Sequence, residues 1–319
     1  MAKRDAKGPT GMNDAVHAAP ALDWPFEMLR PGGSAVSPWV ALHGPLVTSA
    51  QRAQFVVLRR AGARFVGVTS YLDFPRADPR DGLDYESVCE AWCHCFRTPQ
   101  EHFTEAAPRA LISASDFTDW SWVARSAGAV SPELAHDVVY VGATEPWQKG
   151  PKGWALAARC LPALHRALGL RVLVIGRADA EFPEQPGHTF RAALEWPALL
   201  GAIAGARLLF APNANDPSPR VIAEALCLDR PVLARRDILG GWKYVTPYSG
   251  AFFADVGDVV YAATDLLASP IAPREVFRTN FGPELSTQRL ASLLCPLDST
   301  LNGIALRLSV AGPHRRRVA

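Results

Sequence analysis

Long apolar runs are missing from this chain. No stretch approaches the roughly 18 to 20 consecutive apolar residues that cross a bilayer. The opening MAKRDAKGPTGMNDA lacks the apolar segment of a signal peptide, so the expectation is a cytoplasmic protein without a transmembrane segment. A basic excess is missing too: 33 Lys and Arg against 31 Asp and Glu leave a net charge of +2, which argues against nucleic acid as a partner. Cysteine is sparse. Six in 319 residues (Cys89, Cys93, Cys95, Cys160, Cys227 and Cys295) do not make a disulfide scaffold, and reduced thiols are expected. No Gly-x-Gly-x-x-Gly follows a strand-like run and no Walker sequence is present, so dinucleotide-dependent oxidation and P-loop chemistry lose support.

What is present describes a globular protein, with 49% hydrophobic and 20% charged residues and length for two lobes. Nine Trp is a high count, and an indole offers a sugar or base an apolar face and one donor. Residues 1–34 end in the breaker cluster Pro31-Gly32-Gly33-Ser34 and read as a disordered leader. Residues 35–135 read as a small α/β lobe: strand 39–42, helix 49–61, strand 64–69, a loop over 73–84, helix 85–95 and strand 110–113. A clearer lobe spans 136–270, with strands at 137–141, 171–175, 206–210, 231–234 and 251–253 and helices at 152–168, 196–204 and 219–228. Residues 271–298 follow as a closing helical region, and 299–319 as a basic tail with His314-Arg315-Arg316-Arg317. The fold class expected is α/β, with parallel, doubly wound sheets whose ligands bind beyond the carboxyl ends of the strands.

The stretch NANDPSPRVIAEALCLDRPVLA, residues 213–234, carries the chemistry. Ser218 can cap the helix at 219–228 and Pro219 suits its first position. The helix start then presents unpaired amides and a positive dipole end to whatever lies beyond the preceding strand, a ready phosphate site. Asp216 stands just outside that start. Glu224 lies five residues beyond the first helical position, a rise of roughly 7 to 8 Å. That separation suits a nucleotide sugar, with sugar hydroxyls at Asp216, diphosphate at the amides and ribose at Glu224, since carboxylates accept strong hydrogen bonds from hydroxyls. The plainer alternative is a loop Asp and a solvated helix Glu.

Asp216, seven residues, Glu224 and then ALCLDRPVLA resembles the nucleotide-sugar motif of retaining glycosyltransferases with the GT-B fold. DPSPRVIAEALCLDRPVL with ILGGWKYV and GAFF further resembles a group of glycosyltransferase-like proteins of algae and their large viruses. The resemblance implies two Rossmann-like lobes, the N-terminal one small, and contacts from Asp216 to the transferred sugar and from Glu224 to the ribose. Asp216 departs from the pattern, being one methylene shorter than the usual Glu. The resemblance also implies basic residues on the donor diphosphate: Lys152, with Lys149 as its rival, and more weakly Arg177. Arg220, Gly240, Gly241 and Lys243 are further donor-side candidates, the last through phosphate pairing. The Asp-x-Asp metal site of the other major glycosyltransferase fold is missing, so neither metal nor cofactor is expected beyond the donor itself.

In the first lobe, His43 follows a strand and is a candidate for the catalytic cleft. Ser70 and Tyr71 also follow a strand, and Asp116 and Asp119 are readable as acceptor-binding groups or as caps of a helix starting near Thr118. Cys89, Cys93, His94 and Cys95 invite a zinc reading, which their spacing disfavours. The function expected is transfer of a sugar from a nucleoside-diphosphate sugar to the hydroxyl of a saccharide, protein or lipid acceptor. A nucleotide-sugar-binding protein of the same fold without activity, or a sugar-nucleotide epimerase, is the alternative.

Overall fold

Short runs of branched and aromatic residues set the strands, and capping residues set the helices between them. The computed structural model describes residues 22–31, 37–69, 74–75, 82–104, 106–128 and 136–308. In the first lobe the elements are β1 (Phe26–Met28), β2 (Arg30–Pro31), β3 (Trp39–Leu42), α1 (Ser49–Arg60), β4 (Arg64–Val68), α2 (Tyr85–Val88), β5 (Ala91–His94) and β6 (Arg109–Leu111). β3 to β6 are parallel neighbours in chain order, and β1 adds antiparallel to β3.

Both faces of this sheet are buried. Val40, Leu42, Phe65 and Trp92 meet Phe55 of α1 and Tyr85 of α2 on one face. Trp39, Ala41, Val66 and Cys93 point the other way, the alternation expected of a pleated strand. α1 starts on a capping box in which Thr48 and Gln51 satisfy each other's backbone amides, worth about 1 kcal/mol.

The second lobe follows α3 (Trp120–Gly128) and contains β7 (Val138–Val141), α4 (Trp154–Leu168), β8 (Val172–Ile175), β9 (His188–Arg191), α5 (Trp196–Ala204), β10 (Leu208–Ala211), α6 (Arg220–Cys227), β11 (Val232–Arg235), β12 (Gly250–Phe253) and α7 (Val259–Ala268). Its six parallel strands are ordered β12-β11-β10-β7-β8-β9. The chain moves outward through β8 and β9, then returns to the other side of β7. That reversal between β7 and β10 opens a crevice at their carboxyl ends.

The chain then forms α8 (Pro273–Asn280), α9 (Pro283–Leu294) and β13 (Leu306–Arg307). α8 packs on α6 of the second lobe, whereas α9 packs on β5 and β6 of the first. Leu290, Leu294, Leu301, Leu306 and Leu308 complete the first sheet's second core, and β13 pairs with β2.

Several boundaries differ from the sequence reading. The expected leader contains β1, whose Phe26 is fully buried; residues 1–21 lie outside the described residues. α3 was expected in the first lobe, yet Val123 and Ala127 are buried in the second lobe's core beside α5 and α6, so the first crossing falls at residues 118–119 rather than 135–136. The second falls at Phe281–Gly282, inside the expected closing region, and Leu301, Leu306 and Leu308 of the expected tail are core. The helix expected over 85–95 stops at Val88, because Cys89 takes an extended backbone and Ala91–His94 joins the sheet. β9 was missed: it is an edge strand with alternate side chains exposed, and lacks the apolar run that reveals a central strand. Ser70, Tyr71 and the stretch from His314 to Arg317 lie outside the described residues. Among the described residues no helix is long and apolar enough to cross a membrane.

Candidate functional site

Two loops meet across the crevice, one leaving β7 and the other leaving β10. They touch because Gly153, before α4, has φ 66°, and a Cβ there would lie 2.1 Å from the carbonyl oxygen of Pro212. Any larger residue would both strain the backbone and push the loops apart. This approach sets Lys152 against Asp216, with Nζ 3.2 Å from Oδ2. Asn213 Nδ2 donates to the same oxygen at 3.1 Å, and the Ser218 amide to Oδ1 at 3.3 Å. Lys152 and Asp216 are 26% and 18% exposed, so a ligand in the crevice can reach both.

The Asp216 loop is supported from behind by residues 239–241. The Leu239 amide donates to Ala214 O at 2.8 Å and the Gly240 amide to Asp216 O at 3.1 Å. A Cβ on Gly240 would stand 1.9 Å from Pro217 O, and one on Gly241, at φ 80°, 2.4 Å from Pro219 Cγ. The two glycines therefore back the Asp216 loop.

α6 begins at Arg220, with Pro219 as its cap residue and no side-chain cap, so Ser218 does not cap it. The first amides of a helix have no acceptor in the turn before them; here that of Ile222 donates to Pro219 O at 3.0 Å. Glu224, one turn in, is 2% exposed. Its Oε1 accepts from Trp196 Nε1 at 2.7 Å and pairs with Arg220 Nε at 2.9 Å. Trp196 stacks on Trp122 with ring centroids 4.3 Å apart. Arg220, expected near phosphate, is committed to Glu224. Glu224→Ala should lower stability by about 2 to 3 kcal/mol, the scale of charge-assisted hydrogen bonds. Glu224→Gln, which keeps an acceptor for Trp196, should lose less than Ala in urea unfolding; equal losses would show that the Trp196 bond contributes nothing.

Lys149, the rival of Lys152, turns instead to Asp179 at 2.6 Å and Glu181 at 3.4 Å. Arg177 is exposed beyond β8. His43 follows β3 and is 4% exposed. Its Nε2 lies 2.7 Å from Glu27 Oε2, its ring stacks on Trp24 and its amide donates to Pro25 O. His43 is thus tied to the segment around β1, and no bond joins it to the Lys152–Asp216 pair among the described residues.

The cysteines of the zinc reading diverge, since Cys93 faces one core of the first sheet while Cys89 and Cys95 face the other. Burial pushes the Cys93 thiol up to about 12 and the Cys95 thiol up to about 11, away from the thiolate form that binds metal. Among the described residues no three His, Cys, Asp or Glu side chains converge on a point that could hold a metal ion.

Asp119 caps α3, accepting from the amides of Ser121 and Trp122. Asp116 has a different part. Fully buried, its carboxylate accepts from Lys243 Nζ at 2.7 Å, from the Ser113 amide at 3.0 Å and from Tyr244 OH. Its carbonyl accepts from the Gly282 amide at 2.8 Å and from Ser286 Oγ at 2.9 Å. Both chain crossings therefore meet at one residue. Lys243, expected on phosphate, is only 6% exposed and serves this junction. Ser115 adds a link beside α6: its amide donates to Ser218 Oγ at 3.0 Å and its hydroxyl to Ser218 O at 3.0 Å. Sequence reasoning missed this junction because its partners lie more than 100 residues apart.

No protein-family model matches the chain and no curated protein matches it. Solved structures do. The α,α-trehalose 6-phosphate synthase of Burkholderia multivorans is 12% identical, with 84% of this chain and 73% of that one covered and a TM-score of 0.59. Sucrose-phosphate synthase of Thermosynechococcus elongatus is 14% identical over 78% and 71%, with a TM-score of 0.55. Anabaena HepE, solved with UDP and glucose, is 14% identical over 78% and 76%, with a TM-score of 0.54. At such identities the likeness speaks for architecture, and the two lobes have the arrangement of the GT-B fold.

Proposed function

We propose that the chain is a glycosyltransferase that moves a sugar from a nucleoside-diphosphate sugar to an acceptor hydroxyl, with retention and without a metal ion. The observation that carries this reading is the Lys152–Asp216 pair, 3.2 Å apart, at the point where the order of the second sheet reverses and α6 begins. An ammonium and a row of helix amides there suit a diphosphate, and the neighbouring carboxylate suits sugar hydroxyls. HepE, which shares the fold, was solved with UDP and glucose.

In the reaction the acceptor oxygen bonds to the anomeric carbon as the bond from that carbon to the phosphate oxygen breaks. The acceptor proton passes to the departing diphosphate on the same face of the sugar. Lys152 and the first amides of α6 stabilise the charge that grows on the leaving group, and Asp216 holds the sugar in line.

Lys152→Ala should lower kcat/KM by roughly 10²- to 10³-fold, the scale of losing one preorganised donor to a developing anion. Asp216→Asn should reduce turnover far more than UDP affinity, since UDP lacks the sugar. A thermal-shift screen over nucleoside diphosphates and their sugars identifies the donor to use. If that donor binds but is neither transferred nor hydrolysed, the transfer reading fails and a binding protein remains. Release of a free epimerised sugar without acceptor would point to epimerisation.

A further inference from the structure

A second recess lies outside the crevice, between β6 and α9, with a volume of about 1050 Å³. Its two walls differ in kind. One is the edge strand of the first sheet, since nothing pairs with β6 beyond β5 among the described residues. The Trp92 amide of β5 donates to Pro108 O, so in the alternating parallel ladder Ala110 turns its backbone toward β5 while Arg109 and Leu111 turn theirs outward. The other wall is the flank of α9, where Leu285, Arg289 and Leu293 succeed one another at helical spacing. An open strand edge beside a helix is a geometry that takes an extended chain as an added strand, backbone bonds giving affinity and the groove giving selectivity.

Charge names the kind of chain. Arg109, Lys243 and Arg289 line the recess, and no Asp or Glu does. Lys243 is neutralised by Asp116. Arg109 donates to Thr104 O and lies over Phe103, while Arg289 lies over the ring of Phe281. Neither arginine has a carboxylate partner among the described residues. The chain's two terminal segments have the wrong sign: residues 1–21 carry three Lys and Arg against two Asp, and residues 309–319 carry three Arg and no acid.

We propose that this recess docks an extended acidic peptide of a partner protein, paired along β6, with apolar side chains and one carboxylate toward Leu285, Arg289 and Leu293 of α9 and further carboxylates toward Arg109 on the opposite face. The site is separate from the sugar-transfer crevice and does not depend on that reading. Random twelve-residue peptides displayed on phage and selected on the full-length protein test it. The recovered peptides should be enriched in acidic residues, with apolar residues between them. Synthesised and followed by fluorescence anisotropy, they should bind Arg289→Glu at least tenfold more weakly at unchanged thermal stability of the protein, and N-methylation of the amides facing β6 should cause a similar loss. Saturating UDP should leave binding unchanged. A selection that returns nothing above background, peptides without an acidic bias, indifference to Arg289→Glu or to N-methylation, or displacement by UDP would each overturn the proposal.

Discussion

Ending the chain at residue 282 should leave a protein that does not fold cooperatively. The missing segment supplies Leu290, Leu294, Leu301, Leu306 and Leu308, none more than 3% exposed. Burying a leucine is worth roughly 1.5 to 3 kcal/mol, so the five together contribute on the order of 10 kcal/mol, comparable with the whole stability of a typical protein. The cost extends further, because Trp39, Val66, Ala91 and Ile112 of the first sheet pack on this segment and would face water. Circular dichroism melts of the 1–282 protein should lack the transition of the full chain. A soluble fragment melting at the full-length temperature would refute the assignment of residues 283–308 to the first lobe's core.

Asp116→Ala should destabilise the protein by about 3 to 5 kcal/mol, as expected when one partner of a buried ion pair is removed and the other left unpaired. Lys243 would lose its counter-charge, and Tyr244 OH and the Ser113 amide would lose their acceptor. Tyr244 does not readily compensate by ionising, since burial, the first cause that raises its hydroxyl above the usual tyrosine range, persists when Asp116 is gone. Adding Lys243→Met to Asp116→Ala should restore at least half of the loss, because the orphaned charge is then gone. Urea unfolding of the two variants checks both numbers. A single mutant within 1 kcal/mol of wild type would remove Asp116 from its place at the junction.

The second lobe was legible because its central strands are buried on both faces. VVYV, VLVI and LLFA are runs that few structures other than parallel strands produce, and turn residues separate them from amphipathic helices. Asp216 and Glu224 were legible as a spacing around a helix start. Their partners were not: Lys152 reaches Asp216 from 64 residues away, and Trp196 reaches Glu224 from 28. The sequence already preferred Lys152 to Lys149; what the coordinates add is the pull of Asp179 and Glu181 on Lys149 beyond β8.

The first lobe was harder to read. Trp92, Cys93 and His94 form a strand whose residues look equally at home in a helix, and local propensity yielded to the sheet. Lys243 was misplaced because a lysine after two glycines suggests phosphate, while the buried carboxylate that holds it lies 127 residues earlier.

The leucines beyond α9 also bear on the order in which the protein can be built. Domains generally fold as they emerge during synthesis, the N-terminal one first. Here the sheet of β1 and β3 to β6 keeps one apolar face open until residues 290–308 have been made, so the lobe translated first is completed last. The second lobe, which holds β7 to β12 and has α3 and α8 on its surface, can close before then. The emerging chain must therefore carry an unfinished sheet from residue 111, where β6 ends, to at least residue 290, and a chaperone that shields that face during translation would act on the first lobe alone.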